Sequence, residues 1–251
     1  MITNRSGELK SAHPVVGYAL TKSDLISALF WRTNKMNESS FIFLKVKIMS
    51  AKKASQARER ANGKYETILR AAIKVFARSG FFNSKVADVA REAGVADGTV
   101  YLYFKNKDDI LVSIFNHVMD EALAMGRKRL LEIDHPLEKL KGIVHAHLNR
   151  FGNDRDLAVV FQVELRSSTK FMEQFSATKV TEYLDLIRSV IEEGKTKRLF
   201  RRDLNTTIAA KVLFGALDEM VTNWVLSRKR YSLAATAEPV IDLFLHGVAV
   251  E

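Results

Sequence analysis

The stretch Ala93-Gly94-Val95-Ala96-Asp97-Gly98-Thr99-Val100-Tyr101-Leu102-Tyr103-Phe104-Lys105-Asn106-Lys107-Asp108-Asp109-Ile110-Leu111 decides how this chain is read. Gly94 closes a short helical pattern that Ser84 is placed to cap and in which Val86, Val89 and Ala90 are buried. A second short pattern opens near Ala96–Gly98 and runs to about Phe104. Two short helices joined by a tight, glycine-containing turn, with Val95 to fill the corner, make a helix-turn-helix. Upstream, Tyr65–Ser79 repeats apolar residues at Ile68, Leu69, Ala72, Ile73, Val75 and Phe76 and stops at Gly80, where a left-handed cap is expected. Downstream, after Lys105-Asn106-Lys107, the period resumes at Ile110, Leu111, Ile114, Phe115 and Val118 and continues toward Leu131 as a long connecting helix.

A helix that enters a major groove exposes side chains that reach base edges while its other face packs on its own domain. Gly98 and Thr99 leave the first turn slim enough for close approach, and the helix N-terminus favours a phosphate. Tyr101 and Tyr103 offer hydroxyls and flat rings; Lys107 and Lys85 suit phosphate oxygens. Asp97 either caps the helix or accepts from a cytosine amino group. Val100 and Phe104 read as core. The competing explanation at each of these positions is packing or helix support, since an aromatic on a short helix is more often packed than in contact.

The remainder continues as helices. One follows Pro136 to about Phe151, one runs from about Arg155 to Ser167, and one from about Phe171 to Glu193, stopped by Gly194. About Thr206–Ser227 carries Val212, Leu213, Ala216, Leu217, Met220 and Trp224; about Ala234–Val248 carries Val240, Ile241, Phe244, Leu245 and Val248. The fold class is therefore all-α, with a three-helix helix-turn-helix DNA-binding domain over 64–111 and a C-terminal helical bundle over 112–251, to which regulators that carry such a domain give ligand binding and dimerisation. Residues 1–48 stand apart, because Val15–Leu20, Leu25–Trp31 and Phe41–Leu44 share no helical period with the rest. Met49-Ser50-Ala51-Lys52-Lys53 reads like a natural start, so 1–63 is taken as an extension. On this reading it is a disordered arm or over-extended gene start followed by a basic arm (Lys52, Lys53, Arg58, Arg60, Lys64); an extra regulatory domain is the alternative. The basic arm suits a phosphate backbone, or is a solvated tail.

The bulk numbers agree with a polyanionic partner. In 251 residues, 39 basic side chains oppose 29 acidic ones, a formal charge of +10 and a pI near 9.7, which fits DNA, RNA or an anionic membrane face. The absence of cysteine removes disulfides, thiolate catalysis and cysteine-ligated metals, and makes the cytoplasm the expected compartment. No apolar run approaches the roughly 18 residues that a membrane span needs. An enzyme is not expected: His145 and His147 are two apart on a helix and face different ways, and no phosphate-cradling loop, nucleophile elbow or HExxH is present. Neither a metal nor a cofactor is expected. A ligand-independent architectural DNA binder explains the charge but leaves the bundle idle.

The Gly80-Phe81 step, the Gly94-Val95 turn, the Gly98-Thr99-x-Tyr101 helix and the aromatic-x-x-Lys107 exit together resemble the signature of TetR-family regulators. The resemblance implies a homodimer on double-stranded operator DNA, controlled by a small-molecule effector, with no membrane partner. Many relatives have serine where Ala96 stands, and Asp97 puts a negative charge near the groove, so the family does not supply the operator sequence. Leu157–Arg166 and Phe214–Leu226 are similar to the branch of the family that represses fatty-acid degradation and is released by long-chain acyl-CoA. With the DNA-reading turn, the likeness covers about Lys64–Val248. Such an effector needs an apolar tunnel and cations for the CoA phosphates. Phe151, Phe161, Leu165, Phe214 and Trp224 are candidates for the tunnel; Arg166, Arg228, Lys229 or Arg230 are candidates for the phosphates. Plain core aromatics and solvated arginines are the alternative. The last two helices, with small Gly215 and Ala216, are the implied dimer face, unless both of their faces are buried internally.

Overall fold

The computed structural model describes residues 38–167, 171, 179–229 and 231–248, and every regular element among them is helical. By compactness the chain divides into Met1–Arg60 and Ala61–Glu251. Helix α1 spans Glu38–Ser79. It begins well upstream of the Tyr65–Ser79 helix that the apolar period predicts. Ser50–Tyr65 is dominated by alanine, lysine, arginine, glutamine and glutamate, has no proline and needs no buried stripe to favour a helix. Lys52 and Lys53 are exposed on it, and the earlier part of the proposed extension lies outside the described residues.

The last turns of α1 bury Ile68, Leu69, Ala72, Val75 and Phe76. Gly80 takes φ 79° and returns its N–H to the Phe76 carbonyl at 2.9 Å, the left-handed cap that its position demands. Helices α2 (Val86–Ala93) and α3 (Asp97–Tyr101) follow, joined through Gly94 at φ 67°. Ser84 does not cap α2. Its hydroxyl turns back and donates to the Gly80 carbonyl at 2.6 Å, while Lys85 takes the cap position with its N–H on Asp88 Oδ2 at 2.9 Å. Helix α4 (Lys107–Glu132) is capped by Asn106, whose Oδ1 accepts from the Asp109 N–H at 2.8 Å. Val89, Ala90, Val100, Phe104, Ile110 and Leu111 close on Phe76 as one dry core.

The bundle comprises α5 (Pro136–Gly152), α6 (Arg155–Val159), α7 (Lys179–Thr196), α8 (Thr206–Leu226) and α9 (Ala237–Val248). The uniform helix expected over 155–167 is instead three pieces: α6, a π turn at Val160–Glu164 and a 3-10 turn at Leu165–Ser167. Helix α7 lies against α4, α5 and α8. It does not stop at Gly194 but passes through it to Thr196. Gly194 is glycine for a different reason: the Phe200 ring folds back onto it, and a Cβ there would collide with that ring. Arg198, at φ 60°, makes the reversal.

Candidate nucleic-acid interface and ligand cavity

Helix α3 presents Asp97, Gly98 and Tyr101 to solvent, with Tyr101 56% and the following Leu102 82% exposed. Val100 and Phe104 point the other way and are buried, as expected. Thr99 is half-buried. Tyr103 is half-buried too, its ring 6.5 Å from Tyr65 and 6.4 Å from Phe104, so packing holds much of it. Lys85 is exposed at the head of α2. Asp97 is the first residue inside α3 and caps nothing; the cap position belongs to Ala96, without a side-chain bond.

Lys107 has a different task from the phosphate contact expected of it. Its ammonium donates to the carbonyls of Phe81 at 2.6 Å, Ser84 at 2.9 Å and Phe82 at 3.1 Å, and lies 4.5 Å from the centre of the Phe81 ring. An ammonium has three donors, and all three are used. The loop between α1 and α2 places those carbonyls close together, and only the fold shows that this lysine gathers them.

The bundle encloses a cavity of about 1110 Å³. Helix α4 contributes Phe115, Val118, Met119 and Met125, α5 contributes His147 and Phe151, the π turn contributes Phe161, and α8 contributes Phe214. Phe115, Phe161 and Phe151 form a continuous aromatic wall with centroids 5.7 and 5.4 Å apart, and Phe151 continues it to His147 at 5.2 Å. Of the positions expected at a ligand, Phe151, Phe161, Leu165, Arg166 and Phe214 line this cavity. Trp224 and Arg228 do not. The Trp224 indole donates to the Tyr231 carbonyl at 3.0 Å and its ring lies 4.9 Å from the Arg155 guanidinium, while Arg228 is exposed beyond the end of α8. Lys229 is exposed there as well, and Arg230 lies outside the described residues.

Polar groups interrupt the wall at two kinds of place. Arg166 donates to Asp218 Oδ1 at 2.5 Å, and Gln162 joins the same oxygen at 3.1 Å. Arg70, Arg129, Lys139 and Arg150 also line the cavity. Arg70, Lys139 and Arg150 are held by Asp154, Glu193 and Glu121, whereas Arg129 has no carboxylate partner among the described residues. Lys139 and Lys197 together hold the Glu193 carboxyl below its ordinary range by hydrogen bonding. Deeper, Nδ1 of His147 lies 3.2 Å from the Tyr183 hydroxyl, and burial depresses this imidazole to about 4 against the opposing charge of Asp218. The sequence pattern missed His147, Tyr183, Asp218 and the whole contribution of α4, because a wall facing a void has the same periodicity as a wall facing a core.

One bond ties the π turn of the cavity wall to the helix-turn-helix. At the end of the π turn, Glu164 Oε2 accepts the Phe81 backbone N–H at 2.6 Å, and Phe81 is also the residue whose carbonyl Lys107 holds. The π turn therefore carries Phe161 and Gln162 on the cavity side and Glu164 against the DNA-binding part.

The architecture has known counterparts. The model of bacterial regulatory proteins of the tetR family matches residues 68–114, and that of the YsiA-like protein C-terminal region matches 115–247. The chain belongs to the TetR family. It is a DNA-binding transcriptional regulator and not an enzyme. The fatty acid metabolism regulator protein of Bacillus subtilis (strain 168) is 36% identical to this regulator over 185 residues, which are 74% of this chain and 95% of that one. The structure of the fatty acid degradation regulator FadR from Bacillus halodurans aligns at TM-score 0.69 and 40% identity over 73% of this chain and 98% of that one. FadR from Bacillus subtilis, solved in complex with stearoyl-CoA, aligns at TM-score 0.69 and 35% identity over the same shares. No helix among the described residues is long and apolar enough to cross a membrane.

Proposed function

We propose that the protein is a homodimeric repressor of fatty-acid degradation genes that leaves its operator when long-chain acyl-CoA fills the cavity. The cavity carries this reading. At about 1110 Å³ it slightly exceeds the roughly 300–1,000 Å³ of small-molecule sites, its wall is aromatic and aliphatic, and cations interrupt it. An acyl chain gains from the apolar wall, and the CoA phosphates gain from cations that are not already neutralised, Arg129 first among them. The Bacillus subtilis relative solved with stearoyl-CoA supports the same ligand class.

Each partner then has a surface. Lys85, Gly98, Thr99, Tyr101 and the exposed edge of Tyr103 face double-stranded operator DNA, which implies work in the cytoplasm beside the chromosome. On α8, Ile208 and Val212 are 59% and 57% exposed and Gly215 opens onto empty space, while Leu243 on α9 is 76% exposed. This apolar face is the homodimer contact, packing helix on helix across a two-fold axis. Ligand binding favours a state in which the π turn shifts, and Glu164 passes that shift to Phe81. The paired recognition helices then lose the spacing of two consecutive grooves.

The test is a binding assay on fragmented genomic DNA. The expected result is retention of a few fragments at physiological salt and their release by palmitoyl-CoA or oleoyl-CoA. Sequence-blind retention overturns the regulator reading in favour of an architectural one, and specific retention unmoved by acyl-CoA assigns the cavity to another apolar effector.

A further inference from the structure

Within the aromatic part of the cavity wall, His147 is an anomaly. It stands among Phe151, Tyr183 and Phe214, with ring centroids 5.2, 5.9 and 6.3 Å away. Its Nδ1 meets the Tyr183 hydroxyl at 3.2 Å, but its Nε2 is buried and has no hydrogen-bond partner among the described residues. A buried ring nitrogen without a partner is costly, and such groups are rare unless something absent from the free protein completes them.

The proton on that nitrogen follows from the pair. Burial keeps the imidazole neutral and the Tyr183 phenol protonated, so the ring carries one N–H and the phenol one O–H. Nδ1 is the acceptor available to the Tyr183 hydroxyl among the described residues. If the hydroxyl donates to Nδ1, the ring proton sits on Nε2 and both groups on the Tyr183 side are satisfied; the other tautomer strands the phenol proton.

We infer that His147 Nε2–H donates to the carbonyl oxygen of the bound ligand, so that the cavity selects an acyl thioester over an equally long chain that lacks the carbonyl. This rests on the acyl-CoA reading above. The location suits the task, because His147 packs against Phe151 and Phe214 and feels the charge of Asp218, the carboxylate that also holds Gln162 and Arg166. A thioester carbonyl lies at the same kind of boundary, where the apolar chain joins the polar arm.

Calorimetric titration of the full-length dimer with palmitoyl-CoA and with S-hexadecyl-CoA, the thioether of equal chain length, reads the bond directly. The wild-type protein is expected to bind the thioester about tenfold more tightly, and His147→Phe is expected to bind both alike. Equal wild-type affinities overturn the inference while leaving the acyl-CoA reading intact, as does a His147→Phe variant that keeps the preference. If neither compound binds, the acyl-CoA reading fails and this inference fails with it. Should His147→Phe not fold, judged by circular dichroism and gel filtration, the wild-type comparison alone decides.

Discussion

Lys107 shows how a residue's chemistry can be legible while its partner is not. A lysine at the mouth of a helix-turn-helix suggests a phosphate; its three donors instead collect the carbonyls of Phe81, Phe82 and Ser84. Lys107→Ala leaves those carbonyls without their cation and is expected to cost about 2 kcal/mol in a urea melt. Operator affinity should fall alike for all sequences, with the salt slope kept. A slope reduced by about 0.9 would return Lys107 to the phosphate backbone. His147 offers a second test at this scale, through pH. Its folded value is lowered from 6.5 to about 4, so between these limits the unfolded chain binds a proton that the folded chain refuses. Its neutral burial is therefore fully tolerated above pH 6.5 and destabilises progressively as the pH falls toward 4, by up to about 3 kcal/mol. His147→Phe should flatten that limb of the stability profile relative to wild type; identical profiles would mean that the imidazole protonates in place.

At the scale of elements, the boundaries that obey local backbone rules were readable. Gly80 and Gly94 adopt the left-handed conformation that ends a helix, and Pro136 opens one. Gly194 misleads because a glycine that admits a ring looks the same in sequence as one that ends a helix. The π turn at Val160–Glu164 leaves no local trace either, since one hydrogen-bond register is exchanged for another by what packs around it. In the proposed mechanism regulation runs through that turn. Glu164→Gln weakens a carboxylate's grip on the Phe81 N–H without touching the aromatic wall. It should leave acyl-CoA affinity within about twofold while reducing the factor by which acyl-CoA lowers operator affinity by roughly 2- to 30-fold. Calorimetry together with operator titration separates the two quantities. An unchanged factor would remove Glu164 from the route.

For the whole molecule, the all-helical design and the DNA-reading face follow from spacing, since Val100 and Phe104 inward fixes Tyr101 outward on so short a helix. The cavity was legible at Phe151, Phe161, Leu165, Arg166 and Phe214; Met119, Met125 and Arg129 enter it because α4 passes the same void, which no one-dimensional pattern records. Trp224 has the composition of a pocket residue but serves as a platform for Arg155. In the proposed mechanism one protein binds operator and acyl-CoA in mutually opposed states, and thermodynamic linkage makes that measurable from both ends. Operator titrations with and without saturating palmitoyl-CoA, paired with palmitoyl-CoA titrations of free and operator-bound protein, should give one coupling factor, on the order of 5- to 150-fold in each direction. An operator affinity that saturating palmitoyl-CoA leaves unchanged would contradict it.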